Sequence, residues 1–244
     1  MRAHSPETTP AGQVRTYRWL PFVTALFVTT LVISNIIAVK IVNLFGLFVP
    51  AAVILFPVAY IFGDVLTEVY GFARARQVIW TGFFCNLVAV LAIWIGGALP
   101  SAPFWAAGSF STPDAAQQAY SAILGFTPRL LLASFAAYLV GEFLNSFVMA
   151  KLKIRTSGRF LWLRTISSTI LGEGADSLVF ISIAFWGIFP PDAIGQAIAS
   201  QWFIKVAYEV LATPLTYWVV NALKKAESED FYDQGTNFNP FTVG

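Results

Sequence analysis

The sequence predicts an all-α polytopic membrane protein, a bundle of six transmembrane helices with both termini in the cytoplasm. Of its 244 residues, 57% are hydrophobic and only 11% are charged, whereas soluble domains carry about 25% charged residues. Six stretches reach the roughly 20 apolar residues that a helix needs to cross a bilayer. Lysine and arginine gather in the tails and in alternate loops between these stretches, as in proteins with cytoplasmic basic loops.

The predicted spans are helical because backbone groups in lipid must be hydrogen-bonded within their own segment. Uninterrupted apolar runs such as 83–98 argue against a β-barrel, in which apolar residues alternate. The first stretch is too long for a signal-peptide core and lacks a small-residue cleavage site, so it is expected to be a retained span. In chain order, the predicted spans are 19–45, 47–70, 77–99, 128–150, 161–189 and 196–223.

The remaining segments are short, and they predict a single transmembrane domain over 19–225. A tail of 1–18 precedes it, and a polar tail of 226–244, which we expect to be flexible, follows it. Both tails are predicted to be cytoplasmic. In the longest loop, 100–127, the segment 114–124 is predicted to form a short amphipathic helix on the outer face.

The orientation follows from the basic residues, because cytoplasmic loops are enriched in lysine and arginine. Twelve of the fifteen lie in the N-terminal tail, the loops after the second and fourth spans, and the C-terminal end. On the opposite side only Arg129 is basic, and Lys40 and Lys205 fall within spans or at their edges. We therefore predict that both termini are cytoplasmic.

The composition also excludes several functional classes. The chain lacks the basic surface that a nucleic-acid-binding protein needs. Its one cysteine, Cys85, rules out an intrachain disulfide and a thiolate metal cluster. Its one histidine, His4, lies in the N-terminal tail, which leaves the apolar body without an imidazole for haem, zinc or a catalytic triad. We expect no cofactor and no bound metal.

Acidic side chains inside the predicted spans are the strongest functional signal. Each charge at mid-membrane costs about 2.5–3.5 kcal/mol on insertion scales, and such residues usually mark a pathway. Counted from the predicted outer ends of four spans, the carboxylates lie about 13–16 residues deep, or roughly 20–24 Å. These carboxylates belong to Asp64, Glu142, Glu173, Asp176 and Glu209. They are expected to share one level below the midplane.

Residues three or four positions apart lie on one face of a helix, and this spacing pairs the polar residues. The pairs are Asp64 with Glu68, Glu142 with Asn145, Glu173 with Asp176, and Lys205 with Glu209, of which the last is close enough for an ion pair. We expect these faces to converge on one hydrated cavity. The structural alternative is that such residues only hydrogen-bond neighbouring helices, and it is favoured for Asn86.

Such a cavity suits a flat ligand that carries hydrogen-bond donors. A guanine-like edge offers a ring N–H and an exocyclic amine to one carboxylate, its carbonyl accepts from a basic or amide group, and its faces stack on aromatic rings. The residues alone do not single out a purine. Cationic ligands or protons would also suit the carboxylates.

Five segments resemble the queuosine precursor transporter family, a branch of the vitamin uptake transporters. They are 34–40 (SNIIAVK), 63–71 (GDVLTEVYG), 141–146 (GEFLNS), 164–176 (RTISSTILGEGAD) and 205–214 (KVAYEVLATP). All five occur in order, and the resemblance extends over the six spans. It implies an inner-membrane importer of the 7-cyano and 7-aminomethyl derivatives of 7-deazaguanine, which are precursors of queuosine in tRNA.

The resemblance also implies which residues line the substrate site. Carried over position by position, they are Asn35, Lys40, Asp64, Glu68, Glu142, Asn145, Arg164, Glu173, Asp176, Lys205 and Glu209. The expected partners are the small-molecule substrate and membrane lipid. A homodimer and an ATP-driven coupling partner are left open.

Three functions compete at this point. The first is a secondary transporter or facilitator, in which Glu173, Asp176 or Glu209 could carry protons. The second is the substrate-binding subunit of an energy-coupling-factor vitamin transporter, because the chain has no nucleotide-binding loop of its own. The third, an intramembrane enzyme, is disfavoured because the sequence lacks a complete G-x-G-D, a serine-protease or an H-E-x-x-H motif.

Overall fold

The computed structural model describes residues 16–44, 47–125 and 128–242, and within them the chain is mainly helical. Most of the predicted N-terminal tail, including His4, and Phe45 at the predicted end of the first span lie outside the described residues. The helices are α1 (Leu20–Ile37), α2 (Phe56–Tyr70), α3 (Phe72–Ala98), α4 (Pro113–Leu124), α5 (Pro128–Arg155), α6 (Leu161–Phe185) and α7 (Pro191–Glu227). Two strands, β1 (Ile41–Leu44) and β2 (Leu47–Pro50), pair antiparallel.

Several helices are long and apolar enough to cross a membrane, as expected for a multi-pass membrane protein. By length and composition they are α1, α3, the stretch that contains α5, and α6. The helix α7 is the longest at 37 residues, but polar side chains such as Lys205 and Glu209 lower its hydropathy. The helix α2 has 15 residues, about 22 Å, and is short for a core of about 30 Å. The count of six spans and the orientation stay predictions.

The boundary between the first two predicted spans is wrong. The sequence analysis extends helices over 19–45 and 47–70, whereas α1 ends at Ile37 and α2 begins at Phe56. The intervening residues form the β1–β2 hairpin and a 3₁₀ turn at Ala51–Ile54. A short apolar run does not distinguish strand from helix, and proline at position 50 disfavours helix at the residue before it.

The predicted short helix in the long loop is confirmed as α4, and the other spans shift by a few residues at their ends. Thr112 is the N-cap of α4, and its side chain accepts a hydrogen bond from the backbone N–H of Ala115. The helix α3 begins five residues before the predicted span, immediately after Gly71. At Gly71 φ is +83° and a Cβ would lie 2.2 Å from the ring of Phe231, so only glycine suits this position.

The closest helix packing joins α5 and α6, and it positions the polar residues of both. A Cβ at Gly172 would lie 2.7 Å from Cβ of Asn145, and one at Gly141 would lie 2.8 Å from Cβ of Asp176. Small residues allow such close contact between membrane helices. These glycines therefore let the face of α6 that carries Glu173 and Asp176 pack directly against α5.

The sequence analysis expects a flexible C-terminal tail, but the C-terminal segment, residues 228–242, packs on the ends of α2, α3 and α5. The backbone N–H of Phe231 donates to the carbonyl of Val69. Asp233 accepts the backbone N–H of Phe72 at 3.0 and 3.1 Å, which caps the first turn of α3 with a negative charge. Arg76 and Trp80 on α3 donate to backbone carbonyls further along the segment.

Candidate functional site

A cavity of about 250 Å³ lies between α1, α2, α5, α6 and α7. This volume is close to the lower end of the roughly 300–1,000 Å³ typical of small-molecule sites. The walls combine charged, amide and aromatic side chains with small residues. It occupies the half of the bundle opposite the C-terminal segment, because its residues come from the last part of α1 and α6 and the first part of α2, α5 and α7.

Lys205 holds the two acidic groups of α6 inside this cavity. Its Nζ lies 2.7 Å from Oε2 of Glu173 and forms a second ion pair with Asp176. The Lys205 side chain is 9% exposed, and those of Glu173 and Asp176 are 11% and 19% exposed. Partly buried ion pairs of this kind present both a donor and acceptors to a ligand.

The α5 side of the cavity places a further carboxylate beside aromatic and amide groups. Glu142 lines the cavity on α5, one turn after Tyr138, and its Oε2 faces the position where a Cβ at Gly63 would lie, at 3.4 Å. The hydroxyl of Tyr138 donates to the carbonyl of Ile79 at 2.9 Å, which fixes the ring. Asn35 on α1 donates to Asn86 on α3 at 3.0 Å, so Asn86 has the structural role expected for it.

A second polar group lies one turn beyond the cavity, toward the C-terminal segment. Nδ2 of Asn145 on α5 donates to Oδ1 of Asp64 on α2 at 3.1 Å. Glu209 on α7 is fully buried, and within the described residues neither of its carboxylate oxygens has a hydrogen-bond partner. The same is true of Oδ2 of Asp64 and Oδ1 of Asn145.

A third polar group, nearest the C-terminal segment, is a buried ion network centred on Glu68. Arg164 binds its carboxylate with two nitrogens, Nε at 3.2 Å and Nη2 at 2.8 Å. Lys224 lies 2.6 Å and Lys153 3.5 Å from Oε1 of Glu68. Both lysines also contact Asp230 of the C-terminal segment, at 2.7 and 2.5 Å. This network ties α2, α5, α6 and α7 to the segment.

The surroundings of Asp230 favour its ionised form. Burial alone would raise the pKa of Asp230, but hydrogen bonds and charge interactions with Lys153 and Lys224 outweigh burial and lower it. A carboxylate in this state contributes its stabilisation at neutral pH. Asp230 therefore meets the two lysines as a carboxylate at neutral pH.

The polar residues predicted for one cavity divide among these three groups. Of the eleven predicted residues, the cavity is lined by Asn35, Glu142, Glu173, Asp176 and Lys205. Asp64, Asn145 and Glu209 lie in the second group, and Glu68 and Arg164 in the ion network. Lys40 is exposed after the end of α1 and does not line the cavity. The predicted ion pair of Lys205 with Glu209 is wrong, because Lys205 pairs across to α6 instead.

The sequence analysis also missed residues that the structure brings to these groups. In the cavity they are Ser34, Tyr138, Phe180 and Gln201. Three of them stand four positions from a predicted residue, so the helical repeat could have found them. Lys153 and Lys224 were interpreted only as basic residues that set the orientation. Their buried contact with Glu68 depends on tertiary packing that sequence spacing does not encode.

Comparison with known proteins identifies the family. The profile of the vitamin uptake transporter family matches residues 50–219. The chain is 31% identical over 207 residues to the probable queuosine precursor transporter of Bacillus subtilis (strain 168), covering 84% of this chain and 83% of that one. It is 26% identical over 194 residues to the queuosine precursor transporter of Escherichia coli (strain K12), covering 78% and 77%.

A third relative, the probable queuosine precursor transporter of Haemophilus influenzae (strain ATCC 51907 / DSM 11121 / KW20 / Rd), is 30% identical over 132 residues, 54% of this chain and 49% of that one. No solved structure gives a match. The family profile spans more than half of the chain and includes every group described above except α1, Lys224 and the C-terminal segment. The chain belongs to the vitamin uptake transporter family, in its queuosine precursor transporter branch.

Proposed function

We propose that this protein is a secondary transporter of queuosine precursors that binds a 7-deazaguanine base in the cavity between α1, α2, α5, α6 and α7. The observation that carries this proposal is the set of polar groups in one small cavity: the Glu142 carboxylate and the ion pairs of Lys205 with Glu173 and Asp176. The names of the relatives supply the substrate class.

The cavity chemistry matches a guanine-like edge. The ring N–H and the exocyclic amine of such a base donate in parallel, and a carboxylate accepts both, as Glu142 would from α5. The ring carbonyl needs a donor, which Lys205 or Gln201 provides. Tyr138 and Phe180 offer aromatic surface to the ring faces. Both the 7-cyano and the 7-aminomethyl derivatives present this same edge.

The proposed transport cycle exposes this site to one side at a time. With six spans and cytoplasmic termini, the cavity lies in the outer half of an inner-membrane protein, and the Glu68 network closes the inner half. Ligand sites near the midplane between rocking groups of helices are typical of secondary transporters. Entry from outside then requires little movement, whereas release inside requires the Glu68 ion pairs to separate.

Substitution of Glu142 tests the binding mode. Glu142→Gln replaces one acceptor oxygen by an amide donor, and we expect roughly 10- to 150-fold weaker binding of 7-cyano-7-deazaguanine. Competition binding in detergent, with guanine, 7-deaza derivatives and a vitamin panel as competitors, measures the loss.

Asp114→Asn is the matched control for this experiment. Asp114 is an exposed acid on α4, outside the cavity, and its substitution should leave binding unchanged. Equal affinities for Glu142→Gln and the wild type would contradict the proposed contact. Preference for a vitamin over every deazapurine would overturn the substrate class.

The alternative, a binding subunit of an ATP-driven complex, requires partner proteins for uptake. Uptake by liposomes that contain only the purified chain would exclude an obligate partner.

A further inference from the structure

We propose that Asp64 and Glu209 form a proton-binding site, separate from the ligand cavity, that couples transport to the proton gradient. This inference rests on the proposed transport function and names the ion that drives it. The site lies where α2 packs against α7, between the ligand cavity and the Glu68 ion network.

The two carboxylates are buried without the partners that an ionised acid needs. Asp64 is 1% exposed and Glu209 is fully buried. Within the described residues, both oxygens of Glu209 and Oδ2 of Asp64 lack a hydrogen-bond partner, and Oδ1 of Asp64 accepts only the amide of Asn145. A buried carboxylate in this state becomes neutral by taking up a proton.

The surrounding charges reinforce this preference. Three other acids lie near Asp64: Glu209 on α7, Glu142 on α5 and Glu68 on its own helix α2. Glu209 in turn lies near Glu173 on α6. The basic residue of the same level, Lys205, lies one turn from Glu209 but forms its ion pairs with Glu173 and Asp176. The basic residues at the other end, Arg164, Lys153 and Lys224, surround Glu68.

The structure also assigns different roles to the acids considered for proton transport. Glu173 and Asp176 line the cavity, where a ligand can contact them, and their negative charge is compensated by the ion pairs with Lys205. Glu209 and Asp64 are outside the cavity lining. A proton on either carboxylate permits the packing of α2 on α7, and its loss leaves two negative charges buried in this contact, whose repulsion favours separation of these helices. Proton occupancy is thereby linked to the helix contact that closes the inner half.

The test is gradient-driven uptake by the purified full-length chain in liposomes. With labelled 7-cyano-7-deazaguanine and an alkaline interior, one proton per substrate gives accumulation of up to about tenfold per pH unit. A sodium gradient without a pH difference should give no accumulation. Gradient-driven accumulation is measured relative to counterflow exchange. In the variants Asp64→Asn and Glu209→Gln, we expect this ratio to fall to nearly the value found when substrate only equilibrates across the membrane.

The control variant is Asp114→Asn, an exposed acid that should retain the wild-type ratio. Accumulation at the wild-type ratio in both site variants, or accumulation driven by sodium in place of protons, would overturn the proposal. Should the variants fail to fold, judged by gel filtration, the response of the wild type to the imposed pH gradient decides. Absence of substrate binding by the wild type in detergent would instead refute the proposed function, and it is measured separately.

Discussion

At the scale of single residues, the buried charges differ in how completely they are compensated. Glu68 is surrounded by Arg164, Lys153 and Lys224, whereas Glu209 has no hydrogen-bond partner in the described chain. Both are glutamates on polar helix faces, and the sequence predicted one shared role for them. The difference arises from the neighbours, because the basic residues near the helix ends form their ion pairs with Glu68 and not with Glu209.

Loss of Arg164 should destabilise the protein strongly. Arg164→Leu removes the two-nitrogen contact with Glu68 and the hydrogen bond from Nη1 to the carbonyl of Arg159. Removing one partner of a buried ion pair typically costs about 3–5 kcal/mol in the free energy of unfolding. Urea unfolding in detergent micelles measures this loss.

Arg155→Leu provides the comparison for Arg164, because Arg155 is an exposed arginine at the end of α5, nine residues before Arg164 in the sequence. Its substitution should change stability by no more than about 0.5 kcal/mol. Similar losses for both variants would show that the buried network contributes little stability.

At the scale of helices, the α5–α6 contact sets the position of the site. Gly172 and Gly141 let the two backbones approach, and Glu173, Asp176, Glu142 and Asn145 lie on the surfaces that they bring together. In the sequence a glycine stands on each side of Glu173, and small residues of this kind permit close approach of another helix. Which helix approaches followed only from the packing.

Substitution of Gly172 by alanine should separate α5 from α6. A Cβ there would lie 2.7 Å from Cβ of Asn145 and 2.9 Å from the carbonyl of Gly141, so the backbones must shift at a cost of about 1–3 kcal/mol. We expect a lower thermal midpoint and weaker 7-cyano-7-deazaguanine binding, measured by a ligand-dependent thermal shift.

The matched control for Gly172 is Gly195→Ala on α7, where a Cβ has no neighbour within 4 Å in the described residues. That substitution should be neutral or stabilising by about 0.5–1 kcal/mol. The packing argument fails if the two variants behave alike.

At the scale of the whole molecule, the polar groups follow one another from the cavity to the C-terminal segment. The proposed ligand cavity, the buried carboxylates of Asp64 and Glu209, and the compensated ion network around Glu68 succeed each other along the bundle. The C-terminal segment completes the last of these, since Asp230 contacts Lys153 and Lys224 and Asp233 caps α3. In the proposed transport cycle, release on this side would therefore require movement of the segment as well as of the helices.

Weakening of the Asp230 contact should free the C-terminal segment. Because its interactions with Lys153 and Lys224 lower the pKa of Asp230, its stabilisation is present above the ordinary aspartate pKa of about 3.9 and is lost as pH falls below it. Asp230→Asn removes the same charge at neutral pH. Hydrogen–deuterium exchange should then be faster over 229–242 than in the wild type.

The control for the segment is Asp192→Asn, an exposed acid at the start of α7, which should leave this exchange unchanged. Full protection of 229–242 in Asp230→Asn would contradict a role for the ion pairs in holding the segment.

Much of the molecule follows from the sequence alone: the apolar helices, the helix α4, the family, and five of the residues that line the cavity. These properties are local, since hydropathy and helical repeat are read over about 20 residues. Only the tertiary structure decided the β1–β2 hairpin, the partners of Lys205 and Glu68, and the docking of the C-terminal segment. The physical reason is that these ion pairs and caps join residues far apart in the chain. Which of several carboxylates a basic residue contacts depends on distances that helix packing sets.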